Sequence, residues 1–125
     1  MWSKILCVGC GGFLGATGRY LVSIAVARWL APKQFPVATL TVNVLGCLVI
    51  GMLIAKRDWA SQHTDLAAFV IIGVLGGLTT FSSFGSETFL LVRSESIGLA
   101  VANVMLNTVL GLGAVWLGFA LIKPA

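Results

Sequence analysis

The sequence predicts an all-α integral membrane protein of four transmembrane helices, and three observations carry that prediction. The 125 residues are 58% hydrophobic and 10% charged, where a soluble domain carries about 25% charged residues. The mean hydropathy is +1.03. The apolar residues also fall into four separate segments, each near the ~20 residues a helix needs to cross ~30 Å of hydrocarbon. A chain this short has no room for a membrane part plus a sizeable soluble domain, so residues 1–125 are expected to form a single four-helix unit that oligomerises.

The first span is expected over 5–26, with Arg19 as its only charge. Its start, Met1-Trp2-Ser3-Lys4, is similar to a signal peptide, but the apolar run continues past Arg19 and Tyr20 without a small-residue cleavage site. It reads as a retained helix. Pro32 and Pro36 bracket the first link, which also holds Arg28 and Lys33. The second span, over 35–55, is uncharged, and the link from Lys56-Arg57-Asp58-Trp59 to Asp65 follows it. The third span is expected over 66–92, with Glu87 near its end, and Arg93-Ser94-Glu95-Ser96 forms a tight link to an uncharged fourth span over 97–122. Trp2, Trp29 and Trp59 fall near segment ends, where amphipathic rings anchor at the interface.

The net charge is +4, but the basic residues are scattered at segment ends without a stripe, which argues against a nucleic-acid partner. With four spans, Lys4, Lys56, Arg57 and Lys123 share one side of the bilayer and Arg28, Lys33 and Arg93 share the other. Lys and Arg bias sets topology, and here the bias is almost nil. Such a chain is suited to inserting both ways up, so that two oppositely inserted copies pair; a single orientation set by other factors is the plainer reading. Cys7, Cys10 and Cys47 read as small apolar fillers, since Cys7-x-x-Cys10 has no second pair and no nearby His. His63 reads as a solvated loop residue. No nucleophile–base set, carboxylate pair or phosphate loop is present, so no enzymatic activity is expected.

The intramembrane polar residues are the informative ones, because polar groups in hydrocarbon are expensive and face the bundle interior or a water path. Thr39 and Asn43 are one helical turn apart, with Gly46 continuing their face. Asn103 and Asn107 make a second ladder, continued by Gly111. Each ladder fits either a conduit or interhelical hydrogen-bonding glue. In Gly76-Gly77-Leu78-Thr79-Thr80-Phe81-Ser82-Ser83-Phe84, clustered glycines and hydroxyls predict an interruption near the middle of the third span. Irregular backbone at that depth is tolerated only where protein buries it or where it lines a wet cavity. An interruption frees carbonyl oxygens, which bind hard cations such as Na⁺; Gly73-x-x-x-Gly77 equally fits a close helix contact. Phe81 and Phe84 share a face. They are either core, or rings whose electropositive edges meet an anion in a dry constriction. Arg19 is deep enough to face water or a partner. It attracts anions to a vestibule, snorkels, or pairs with Glu87, and Glu87 is otherwise interfacial. Gly11, Gly12, Gly15 and Gly18 would let a neighbouring helix approach closely.

Three segments resemble the Fluc family, the CrcB-type fluoride channels of bacterial membranes. They are Gly11-Gly12-Phe13-Leu14-Gly15-Ala16-Thr17-Gly18-Arg19-Tyr20, Thr39-Leu40-Thr41-Val42-Asn43-Val44-Leu45-Gly46, and Gly73-Val74-Leu75-Gly76-Gly77-Leu78-Thr79-Thr80-Phe81-Ser82-Ser83-Phe84. The resemblance spans essentially the whole chain. It implies a passive fluoride channel of the bacterial inner membrane that lowers cytoplasmic fluoride, built as an antiparallel, dual-topology homodimer with two pores. It implies that Phe81 and Phe84 line those pores, with Asn43, Thr39, Asn107, Ser83 and Thr80 on the fluoride path. It further implies that the backbone carbonyls of Gly76 and Thr79, two from each subunit, hold a structural Na⁺. Arg19 matches the arginine of the first-span motif. Asn107 stands where the family commonly has a small hydroxyl residue, and Asn103 where members often have Tyr. The competing reading is a small four-helix proton-coupled exporter of the multidrug type, which calls for a carboxylate in the first span, where this chain has Arg19.

Overall fold

The computed structural model describes residues 2–29, 34–56 and 58–122. Pro32 and three of the basic residues in the orientation count, Lys33, Arg57 and Lys123, lie outside the described residues. The described chain is all helical, with no strand: α1 (Trp2–Trp29), α2 (Val37–Ala55), α3 (Trp59–Gln62), α4 (Thr64–Ala67), a π-helical stretch (Ala68–Leu75), α5 (Gly76–Leu78), α6 (Phe81–Arg93) and α7 (Ile97–Leu121). Four helical segments are long and apolar enough to cross a membrane: α1, α2, the run Thr64–Arg93 and α7. Even α2, the shortest at 19 residues, rises about 28 Å at ~1.5 Å per residue. The π-helical stretch was not legible in the sequence.

The four spans pack as two close pairs, and glycine makes both possible. The first pair joins α1 to the π-helical stretch and α5. A Cβ at Gly11 would run into the Phe69 carbonyl, and one at Gly15 into the Val74 carbonyl. From the other side, a Cβ at Gly73 would lie 2.8 Å from the Gly11 Cα, and one at Gly77 2.6 Å from the Gly12 carbonyl oxygen. The glycines of the first span and the Gly73-x-x-x-Gly77 pattern therefore meet each other. The second pair joins α2 to α7, with Gly51 against the Val115 carbonyl and Gly118 against the Leu48 carbonyl. Lipid tails are as apolar as leucine, so helix association in a bilayer rests on such close van der Waals contact.

Little of the chain is buried within one copy: between 11% and 28% of the most apolar window of each span. The core residues are mostly small, with Val42, Ala55, Ala100 and Leu91 among them. Large apolar side chains such as Phe13, Leu14, Leu112 and Trp116 point outward. Trp2 and Trp29 are exposed at the two ends of α1. Phe35 and Pro36 precede α2 rather than opening it, as suits a proline without an N–H at a helix start. Between α6 and α7 the chain reverses through Ser94–Ser96, with Glu95 in the left-handed region at φ 59°. Gln34 donates to the Ser96 hydroxyl at 2.9 Å, which ties the first and third links together on one side. At the opposite end, exposed His63 stacks on Trp59 with ring centroids 6.0 Å apart.

Candidate functional site

The site is organised by two residues that leave helical geometry. Thr79 (φ −79°, ψ 155°) and Thr80 (φ −154°, ψ 116°) are extended between α5 and α6. Each end is closed by a hydroxyl. Thr79 Oγ1 donates to the Leu75 carbonyl at 2.8 Å, which also accepts the Thr79 N–H. Thr80 caps α6, its Oγ1 accepting the Ser83 N–H at 3.2 Å, the role for which Thr is favoured. Two backbone donors are thereby redirected. A continuous α-helix would give the Thr80 N–H to the Gly76 carbonyl, but it goes to Asn43 Oδ1 at 3.0 Å. The Ser83 N–H, which would go to the Thr79 carbonyl, goes to the Thr80 hydroxyl. The extended turn leaves the carbonyls of residues 76–79 without the backbone donors that a continuous helix would give them.

The two polar ladders face each other. Thr39 is buried and donates to Glu87 Oε1 at 2.7 Å. Asn43 Nδ2 donates to Asn107 Oδ1 at 2.9 Å, and Asn107 Nδ2 donates to Asn103 Oδ1 at 2.9 Å. Asn103 is 0% exposed and donates to Thr88 Oγ1 at 2.8 Å. Gly46 lies against the Thr79 methyl, and Gly111 near the Cys47 sulfur. The glue reading of the ladders is thus realised between α2 and α7 by Asn43 and Asn107 and toward α6 by Thr39 and Asn103, while Asn43 and Asn107 also border open space. Thr88 escaped the sequence reading, and the only signal for it was a hydroxyl one turn after Phe84.

Two cavities flank this seam. A cleft of about 520 Å³ is bordered by Asn43, Thr79, Thr80, Phe81, Phe84 and Asn107, together with apolar side chains of α2 and the π-helical stretch. It contains no charged side chain. Phe81 is 84% exposed, so it is not core within one copy, and Phe84 is half-buried. Their ring centroids are 5.5 Å apart with the planes tilted by 49°. The second cavity, about 310 Å³, is lined by Arg19, Tyr20, Ser23, Thr39, Ser83 and Glu87. Arg19 and Glu87 share it without a hydrogen bond to each other: Glu87 Oε1 is held by Thr39, and the buried Oε2 has no partner among the described residues. Among those residues no three His, Cys, Asp or Glu side chains converge.

These features define a small four-span helical membrane protein with a polar seam between an uncharged aromatic cleft and a charged vestibule. The chain belongs to the family described as CrcB-like protein, Camphor Resistance (CrcB), which it matches over residues 6–119. It is 41% identical to the fluoride-specific ion channel FluC of Methylobacillus flagellatus, over 96% of this chain and 94% of that protein. It is 43% identical to the protein of the same name from Rhodospirillum centenum, over 97% of this chain and 96% of the relative. With the one from Elusimicrobium minutum the identity is 45%, over 93% and 90%.

Proposed function

We propose that this chain is a passive, fluoride-selective channel of the bacterial inner membrane, not an enzyme, and that it lets cytoplasmic fluoride escape. The observation that carries the reading is the uncharged cleft, which Phe81, Phe84 and the side-chain amide of Asn43 line together, in a chain similar along its length to fluoride-specific channels. A ring edge is electropositive without being a full charge. It offers a small anion partial compensation for its lost hydration and still lets it leave, as conduction requires. Arg19 supplies the attraction at the charged vestibule, and Thr39, Ser83 and Thr80 continue the polar path to the rings beside Asn107. Hydrogen fluoride crosses a bilayer neutral and ionises inside, so a leak for the trapped anion suffices. The exporter reading is not favoured, because α1 carries no carboxylate, and Glu87 shares its cavity with Arg19 and is bonded to Thr39.

Two copies inserted in opposite senses make the working unit. The exposure of Phe81 and the almost even sharing of basic residues support this assembly. At its centre the helix interruption at Thr79 and Thr80 presents the carbonyls of Gly76 and Thr79, two from each copy, to a structural Na⁺. Carbonyl oxygens stripped of helical donors suit such a hard cation. When bound, the ion would neutralise the clustered carbonyl dipoles and hold the two copies together. Replacing Na⁺ by a bulky organic cation in the purification buffer is expected to abolish flux, with dimer content measured by light scattering.

The deciding experiment is anion efflux from liposomes carrying the purified protein, read by fluoride and chloride electrodes in parallel. Fast fluoride efflux without chloride efflux and without a proton gradient is expected. Equal chloride flux would remove fluoride from the assignment, and absence of flux from a folded dimer in Na⁺ buffer would remove the channel.

A further inference from the structure

We infer that Asn103 and Thr88 are positioning residues at the end of a one-way hydrogen-bond relay that clamps the Phe81–Phe84 turn and fixes which face of the Asn43 amide meets the cleft. The relay has five links. Thr80 N–H donates to Asn43 Oδ1 at 3.0 Å. Asn43 Nδ2 donates to Asn107 Oδ1 at 2.9 Å, and Asn107 Nδ2 to Asn103 Oδ1 at 2.9 Å. Asn103 Nδ2 donates to Thr88 Oγ1 at 2.8 Å. Thr88 Oγ1 donates to the Phe84 carbonyl at 2.7 Å. The path leaves the third span just before Phe81, crosses α2 and α7, and returns to the third span at Phe84.

Its direction is forced. A backbone N–H can only donate, so Asn43 must turn its oxygen toward Thr80 and its NH₂ toward Asn107. Asn107 must then accept with its oxygen and pass its NH₂ to Asn103, which also offers its own backbone carbonyl at 3.0 Å. Asn103 in turn points its NH₂ at Thr88. A threonine hydroxyl has one hydrogen, and that hydrogen is held by the Phe84 carbonyl, so the hydroxyl can only accept from Asn103. Turning any amide round would set donor against donor or oxygen against oxygen, in a place where an unmade hydrogen bond is costly.

Two consequences follow. Asn103 is 0% exposed, so it acts through its neighbours rather than on an ion. Asn43 has two amide hydrogens and gives one to Asn107; with its Oδ1 taken by the Thr80 N–H, the remaining amide hydrogen is the donor it can offer an anion in the cleft it borders. The link to anion selectivity rests on the channel reading above; the relay itself does not.

The test uses full-length protein, with two independent readouts. Thr88→Val keeps the shape and deletes both the last acceptor and the last donor. It is expected to speed hydrogen–deuterium exchange at the Thr80 amide by roughly tenfold, the size expected for weakening one hydrogen bond. In liposomes it should lower the fluoride-to-chloride flux ratio, and Thr88→Ser, which keeps the hydroxyl, should restore both. Asn103→Leu breaks the relay one link earlier and serves if Thr88→Val does not fold. Unchanged Thr80 exchange and an unchanged flux ratio in either folded variant would overturn the relay. Faster Thr80 exchange in a chain whose unsubstituted form carries no fluoride would uphold the relay and sink the channel reading instead.

Discussion

The two cavities lie on either side of the same seam and use opposite chemistry. The smaller one contains Arg19 and Glu87 and is otherwise lined largely by polar side chains. The larger one has two phenylalanines, two amides and no charge. Thr39 and Asn43, one turn apart on α2, assign one residue to each. On the proposed channel reading, this contrast separates attraction from passage. A full charge in a wet cavity draws counter-ions over a distance set by screening. The same charge in an apolar constriction would hold an anion too tightly to release.

Attacking the uncharged side should have the largest effect. Phe84→Ile and Phe81→Ile keep apolar bulk but remove the ring edge. Each is expected to cut fluoride flux by roughly tenfold, which corresponds to the upper range of an aromatic contact, while leaving the oligomer intact by light scattering. Unchanged flux in both would return the rings to packing and erase the contrast between the cavities.

The next largest effect is expected from Gly46→Ala. Its new Cβ would collide with the Thr79 methyl, whose rotamer is held by the hydroxyl bond to Leu75. Overpacking of this kind costs about 1–3 kcal/mol, so a lowered melting temperature and weaker Na⁺ retention should appear together. A variant with unchanged melting and Na⁺ retention would mean that the extended turn tolerates displacement.

On the charged side, Arg19→Gln is expected to lower flux only a few-fold at low salt. The difference should vanish near 1 M salt, where the screening length is ~3 Å. A loss as large as that of Phe84→Ile would move the decisive chemistry into the vestibule. The smallest effect should come from outside both cavities. Glu95→Gly relieves a left-handed residue in the α6–α7 link and should raise stability by up to ~1 kcal/mol, with flux unchanged. An altered flux would mean that this link reports on the cavities.

The sequence carried the membrane spans because the bilayer imposes a length and polarity rule that each segment must satisfy alone. It also marked the turn as irregular, since clustered glycines, hydroxyls and phenylalanines over 76–84 are anomalous for a lipid-facing helix. The alternatives it left open were of a different kind. The glycines at 11, 15, 73 and 77 and the asparagines at 43, 103 and 107 had partners on helices distant in sequence, and no local rule says which helix a face will meet. Thr88 went unnoticed for the same reason: a hydroxyl one turn from a phenylalanine is ordinary until a buried amide from α7 donates to it. Span number, span length and the chemical character of each face are therefore local properties, written in composition and periodicity. The direction of the amide relay and the division into a charged and an uncharged cavity arise only when α2, the third span and α7 converge. Hydrogen-bond polarity belongs to a pair of groups and not to a residue, so it comes into being at that contact.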